Sequence, residues 1–233
     1  MTIEDPLFWT ALMKIIGVNI VLSGDNAVVI ALAARSLPPK QQKQAIFWGA
    51  GAAIVLRIIL TLFAVALLAL PWLKLIGSVL LLWIGVKLLL PEDDDPGVTA
   101  SDNMMIAIRT ILIADLVMSL DNVIGVAAAA GGSTVLLILG LAISIPIVIF
   151  GATVLVKVME RFPVIIVIGA GLIGFVAGEM AWEDAALTAW TSPYPPSMKY
   201  VPAVICTIFV VVLGQWLAKR AEAGRKVPAE GSA

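Results

Sequence analysis

Hydrophobic residues dominate this chain in seven long segments, and polar residues are concentrated in the short stretches between them. Each segment is about as long as, or longer than, the roughly 20 residues that an α-helix needs to cross a lipid bilayer. The short alternating strands of a membrane barrel do not occur in the sequence. The pattern predicts an all-α polytopic membrane protein. Its seven transmembrane helices are expected at residues 7–34, 44–70, 72–90, 104–130, 134–158, 163–180 and 200–217.

A polar pattern occurs twice and divides the chain into two similar parts. NIVLSGDN at 19–26 aligns with DLVMSLDN at 115–122, and LPWLKLIG from Leu70 aligns with FPVIIVIG from Phe162. Three spans in each part would place the second copy upside down relative to the first. We therefore predict two inverted three-helix repeats plus one extra helix in a single transport domain. Its parts are repeat 1 at about 7–90, an acidic linker at 91–103, repeat 2 at about 104–184, the extra helix at about 200–217 and a cytoplasmic tail at 218–233.

Composition agrees with a membrane protein and narrows the chemistry. Hydrophobic residues make up 61% of the 233 residues and charged residues only 13%, whereas soluble domains have about a half and a quarter. With one cysteine and no histidine, the chain would build a metal site mainly from oxygen ligands. The sequence contains no basic patch, so a nucleic-acid partner is not expected. Neither a cofactor nor an enzymatic activity is expected.

The positively charged residues predict the orientation in the membrane. If the N-terminus lies outside, most lysine and arginine residues near the span ends lie on the inner side, and only Lys14, Lys74 and Lys199 lie outside. Cytoplasmic loops of membrane proteins carry such an excess of positive charge. We therefore expect an external N-terminus and a cytoplasmic C-terminus.

Acids and amides lie within the first and fourth predicted spans, where a carboxylate costs about 2.5–3.5 kcal/mol to insert. In the first copy, Asn19, Ser23 and Asn26 follow at i, i+4 and i+7, one face of a helix, and the second copy repeats this spacing. Asp25 and Asp121 would lie about 100° round from their neighbouring asparagines, unless the helix unwinds locally at the glycine beside Asp25. The candidate ion ligands are Asn19, Asp25, Asn26, Asp115, Asp121 and Asn122.

Carboxylate and amide oxygens suit hard divalent cations such as Mg²⁺, Ca²⁺ and Mn²⁺. Three carboxylates also match a doubly charged ion better than Na⁺. Met118, three residues before Asp121, would favour Mn²⁺ over Ca²⁺ as a soft ligand, although methionine in an apolar helix is ordinarily a packing residue. A structural interpretation stays open, because intramembrane aspartate and asparagine can join helices through hydrogen bonds.

Further charged residues lie within or near the spans. Arg57 is the deepest cation and would hold an empty site together until a metal enters. Lys87 is long enough to reach the inner interface, and Glu179 would pair with a cation or lie in an exit path. We predict these three as coupling or gating charges, and we expect Glu183 and Asp184 to be interfacial and solvated.

Four stretches together resemble the TerC family of integral membrane proteins, in particular its short bacterial branch: NIVLSGDNAVVIALAARSLP, WGAGAAIVLR, IGVKLL and DLVMSLDN. The resemblance covers residues 12 to about 217. It implies a role in manganese export, in a family that is named for tellurium resistance and grouped with lysine exporters. The family's acidic motifs fall on Asp25, Asn26, Asp121 and Asn122.

The predicted function is secondary transport that exports a divalent cation, Mn²⁺ before Ca²⁺ or Mg²⁺, across a bacterial plasma (inner) membrane. The two repeats would rock around a site at the membrane midplane. The ATP-binding pattern G-x-x-x-x-G-K-[ST] does not occur, so proton antiport is the simplest driving force. Two alternatives stay open: export of a cationic or zwitterionic organic solute, and a membrane scaffold without transport. The expected partners are the lipid bilayer and the metal ion, and a homodimer is left open.

Overall fold

Helices form nearly all of the structure. The computed structural model describes residues 6–22, 24–63, 70–91, 100–130 and 133–225, and these ranges contain no β-strand. Single 3₁₀ turns lie at Ala185–Leu187 and Pro196–Lys199. The α-helices are α1 (Pro6–Leu22), α2 (Gly24–Ala34), α3 (Pro39–Leu62), α4 (Leu73–Lys87), α5 (Ala100–Ala130), α6 (Thr134–Arg161), α7 (Val164–Trp182), α8 (Thr188–Thr191) and α9 (Tyr200–Arg225).

Several of these helices are long and apolar enough to cross a membrane. Within the described residues, five stretches meet this condition: Pro39–Thr61, Ser101–Leu120, Ile138–Arg161, Val164–Trp182 and Pro196–Ala223. Helices α1 and α2 contribute shorter apolar stretches, and α4 has 15 residues. The helices agree with the predicted all-α polytopic membrane protein, while the seven spans and the inverted repeats remain predictions.

Several helix boundaries differ from the predicted ones, and three that differ by four residues or more are the following. Helix α3 begins at Pro39, because a proline fits the first turn of a helix, whose N–H groups need no partner within the helix. Helix α5 begins four residues before the predicted span, at Ala100. Helix α9 continues to Arg225, into the predicted tail. Gly24, where the local unwinding is predicted, is the first residue of α2, and Ser23 before it lies outside the described residues, so the unwinding stays a prediction.

Large apolar side chains point outward from the helices. On α3, Trp48 is 63% exposed, and on α9 Ile205 and Val212 are 60% and 61% exposed. A soluble monomer rarely exposes contiguous apolar surface on this scale. These faces are therefore suited to contact with lipid chains.

The two halves of the chain pack mainly against each other. Helix α3 lies along α5 and α6, both α1 and α2 contact α6, and α4 lies along α7. Contacts between neighbours within one half, such as α5 with α6, are less extensive. Helix α9 packs on α7 and α4. The hydrophobic core thus lies between the halves rather than inside each of them.

A buried carboxylate joins the start of α4 to the loop after α7. Asp184 is fully buried, and its Oδ1 accepts the N–H groups of Trp72 at 3.0 Å and Ala186 at 2.7 Å, while Oδ2 accepts that of Leu75 at 2.9 Å. Trp72 has a left-handed backbone with φ of 70°, a conformation that costs roughly 1–2 kcal/mol. The expectation of a solvated Asp184 was therefore wrong, because the carboxylate caps a helix distant in sequence.

Substitution of Asp184 by asparagine is expected to destabilise the protein by about 1–3 kcal/mol, since hydrogen bonds to a charged group are lost. Burial alone would raise the pKa of Asp184, but the four backbone N–H donors of residues 186, 75, 72 and 74 outweigh it and lower the pKa. The stabilisation is therefore full above about pH 3.9, the ordinary aspartate value, and is lost as the pH falls through the lower pKa of the folded state.

Thermal unfolding of purified protein in detergent at pH 7 and pH 3 measures this effect. The control is Glu183→Gln, the exposed neighbour, whose ion pairs with Lys74 and Lys199 at 3.4 and 3.3 Å are worth at most about 1 kcal/mol. A difference between Asp184→Asn and wild type that does not shrink at pH 3 would contradict the assignment of the cap to the charged form.

Candidate functional site

A buried ion pair joins the two halves of the protein. The Arg57 guanidinium of α3 donates through Nη2 to Oδ1 of Asp115 on α5 at 2.6 Å. Arg57 Nε donates to the Ser119 hydroxyl at 3.0 Å, and this hydroxyl donates to Asp115 Oδ2 at 3.1 Å. The exposed fractions are 3% for Arg57, 5% for Asp115 and 0% for Ser119. The three side chains therefore form a closed hydrogen-bonded ring in the apolar core.

Helix spacing and the close packing of α3 on α5 explain why these side chains meet. Asp115 and Ser119 are four residues apart and so lie on one face of α5. Small residues bring α3 close to that face, because a Cβ at Gly49 would lie 2.8 Å from Cδ1 of Ile111. Arg57 follows two helical turns after Gly49, which directs its long side chain toward Asp115 rather than toward lipid.

A small cavity lies beside the ion pair. Its polar lining comes from Asn26 on α2, Ser144 on α6, and the ion pair itself, and the rest is apolar: Ile30, Ala50, Ala53, Ile54 and Val148. Asn26 is 3% exposed and Ser144 is 1% exposed. The Ser144 hydroxyl donates to the Leu141 carbonyl at 2.7 Å. Four helices thus bring polar groups or small residues to one buried space.

Asp25 lies at the edge of this arrangement. It is half-buried in the first turn of α2, and its Oδ1 accepts the Asn26 N–H at 2.9 Å. The first N–H groups of a helix have no carbonyl partner within that helix, and a carboxylate there satisfies one of them. Asp25 is also within electrostatic range of Arg57 and Asp115.

The structure assembles some of the predicted ligands and leaves others undescribed. Asp115, Asn26 and Arg57 share the cavity, with Asp25 nearby, whereas the buried Asn122 is not part of its lining. The side chains of Asn19 and Asp121 lie outside the described part of the structure. Among the acidic, histidine and cysteine side chains that are described, no group of three lies close enough to hold a metal ion. Whether the two Asp-Asn motifs converge therefore stays a prediction.

The other two predicted charges lie elsewhere. Lys87 is exposed, with Nζ 5.0 Å from the ring centroid of Trp83, as expected for a lysine reaching toward an interface. Glu179 is half-buried, and its Oε1 lies 3.2 Å from Nζ of Lys199, in the 3₁₀ turn before α9. Neither residue lines the cavity beside Arg57.

Sequence reasoning did not select Ser144 for the site. Ser144 lies between apolar residues, two positions before a proline, in AISIPIV. A polar group inside a predicted span is a signal in the sequence that could have identified it. The serine of the second motif, Ser119, was recognised as lying on the same face as Asp115, but its position between Arg57 and Asp115 required the tertiary structure.

The arrangement offers oxygen atoms of the kind that bind hard cations. Asp115 supplies a carboxylate, Asn26 an amide and Ser144 a hydroxyl, and none of these is a soft ligand. Water is largely excluded, so charge–charge interactions are stronger here than at a surface. In the state described, Arg57 is the cation that neutralises Asp115.

Comparison with known proteins identifies similar chains in bacteria. The family described as "Integral membrane protein TerC family" matches residues 4–222. The Bacillus subtilis membrane protein YjbE is 41% identical over 203 residues, which cover 87% of this chain and 92% of YjbE. YceF of the same species is 26% identical, covering 91% and 83% of the two chains. The Escherichia coli inner membrane protein YgdQ is 29% identical, covering 69% and 75%. No solved structure matches the chain.

Proposed function

Because the chain belongs to the TerC family of integral membrane proteins, we propose that it is a secondary transporter that exports divalent metal cations, with Mn²⁺ as the principal ion. The observation that carries this proposal is the Arg57–Asp115 ion pair beside a polar-lined cavity in the apolar core. Asp115, Asn26 and Asp25 would bind the ion from the helices that line or border the cavity. Asn19, Asp121 and Asn122 are the further candidate ligands.

Energetics favour a functional role for the ion pair over a purely structural one. A buried ion pair is often no more stabilising than apolar residues of the same volume, because both ions lose their hydration. Ionisable groups within membrane spans are rare and typically belong to substrate or ion pathways. A hydrogen-bonded ring that joined α3 and α5 for stability alone would not need a cavity with two more polar side chains beside it.

The packing between the halves supports an internal repeat and changes the expected motion. The first helix of each half contacts the second helix of the other, and the two third helices, α4 and α7, contact each other. Inverted repeats give such reciprocal contacts. Rocking one half as a rigid block would break most of this packing. In our proposal the helices that line the cavity move instead: α2, α3, α5 and α6.

Export of a cation against an inside-negative potential is uphill, so the transporter needs an energy source. Proton antiport is our proposal for that source, with carboxylates near the cavity returning protons. We propose a bacterial plasma membrane location with the N-terminus outside and the C-terminus in the cytoplasm, as the charge distribution predicts.

The test is metal flux in vesicles that contain only the purified protein. We expect saturable Mn²⁺ flux, slower Ca²⁺ and Mg²⁺ flux, and no lysine flux. Vesicles without protein, prepared in parallel, give the background. Lysine flux without metal flux would replace the proposal with organic-cation export, and no flux of any solute would favour the scaffold alternative.

A further inference from the structure

Both oxygens of the Asp115 carboxylate are already engaged in the structure. Oδ1 accepts from Arg57 at 2.6 Å and Oδ2 accepts from Ser119 at 3.1 Å. Ser119 in turn accepts from Arg57 Nε at 3.0 Å, so it fixes the guanidinium and the carboxylate together. Each carboxylate oxygen has room for a second partner, so what decides whether a metal ion can bind Asp115 is the positive charge of Arg57.

Arg57 and a divalent ion cannot share this carboxylate. A guanidinium keeps its charge in proteins, and two cations repel strongly in a buried site where water does not screen them. The cavity beside the pair, lined by Asn26 and Ser144, gives an ion a polar approach to Asp115. Occupancy of Asp115 by Arg57 and occupancy by the ion are thus alternatives.

We propose that Arg57 is a tethered cation that takes the place of the transported ion on Asp115 while the carrier is empty. The inference rests on the proposed transport function and assigns a positioning role in its cycle to Arg57. An incoming ion displaces the guanidinium, and after release of the ion the guanidinium closes on Asp115 again. Asp115 is then neutralised in both directions, by the ion on the way out and by Arg57 on the return, so the protons of the proposed antiport return on carboxylates near the cavity other than Asp115.

Two transport modes separate this role from a structural one. Net efflux into metal-free buffer requires the empty carrier to return, whereas exchange of labelled Mn²⁺ for unlabelled Mn²⁺ uses only the loaded carrier. The variant Arg57→Met keeps the side-chain bulk and removes the cation. In proteoliposomes we expect its net Mn²⁺ efflux to fall at least about tenfold while exchange stays within about twofold of wild type, because only the empty state loses its stabilising partner.

Metal affinity provides a second readout. Arg57 competes with the ion for Asp115, so its removal raises the fraction of carriers that can bind. We expect Mn²⁺ to bind Arg57→Met at least about threefold more tightly than wild type, a change opposite to the loss that a damaged site would show. Arg57→Lys keeps the positive charge and should recover part of the net efflux.

Matched controls make each outcome decisive. Arg109→Met removes an exposed arginine from α5 and should leave both modes unchanged. Equal losses of efflux and exchange in Arg57→Met would overturn the inference, as would normal net efflux or weaker Mn²⁺ binding. Failure of the wild-type protein to move any metal would instead overturn the proposed function.

Discussion

Asp115→Asn is expected to lower Mn²⁺ transport by at least about 100-fold, more than is usual for the loss of a residue that only orients a ligand. The amide keeps the shape of the carboxylate and one acceptor oxygen, but it removes the negative charge that a divalent ion needs at the cavity. Asp115 is 5% exposed, so water does not screen the site and the loss of this charge has a larger effect than at a surface. Efflux of Mn²⁺ from loaded proteoliposomes measures the change.

The control for this variant lies on the same helix. Asp102 is exposed in the first turn of α5, and Asp102→Asn should transport as wild type does. Because Asp115→Asn leaves Arg57 without its carboxylate, the amount of folded protein must be compared by its thermal unfolding midpoint. Normal transport by a folded Asp115→Asn protein would remove Asp115 from the site. Asp25→Asn tests the neighbouring carboxylate without breaking the ion pair.

Gly178→Ala is expected to destabilise the protein by about 2 kcal/mol, because the added methyl group meets backbone atoms that cannot rotate away. A Cβ at residue 178 would lie 2.5 Å from Cα of Ala203 and 2.6 Å from its backbone nitrogen on α9. Overpacking of this kind costs up to about 3 kcal/mol, and the better helix propensity of alanine returns about 1 kcal/mol. The net loss corresponds to about 4–8 °C in the unfolding midpoint for a chain of this size.

Gly51→Ala is the matched comparison. A Cβ at residue 51 on α3 meets nothing within 4 Å, so this variant should be as stable as wild type or more stable by up to about 1 kcal/mol. Thermal unfolding in the same detergent compares the two variants directly. Equal midpoints for Gly178→Ala and Gly51→Ala would show that α7 and α9 are less closely packed than the structure indicates.

The sequence predicted the elements better than the contacts between them. Spans of about 20 apolar residues are a local signal, and they anticipated helices α3, α5, α6, α7 and α9. A proline pair read as a break proved to begin α3, because proline both ends one element and suits the start of the next. The continuation of helix α9 past Leu217 has no strongly apolar pattern, since its residues there are charged or small.

The candidate site could be predicted in part. Polar residues within a span are conspicuous, so Asp115, Asn26 and Arg57 were selected from the sequence alone. Which carboxylate Arg57 contacts depends on how α3 lies against α5, a tertiary arrangement without a local signature. Asp184 shows the same limit, because a helix cap supplied from residues more than a hundred positions later leaves no periodic pattern. From the sequence alone, a carboxylate in a loop is expected to be solvated, although the fold can bury it.

The packing of each half against the other also affects how the protein is made. When α3 leaves the ribosome, α5 has not been synthesised, and at about 5–20 residues per second the remaining chain takes on the order of ten seconds to complete. During that interval Arg57 is in or near the bilayer without its carboxylate, and the interior faces of α1 to α4 lack most of their partners. A nascent chain that stops before residue 100 would be a target for membrane proteases, because maturation of the first half depends on translation of the second.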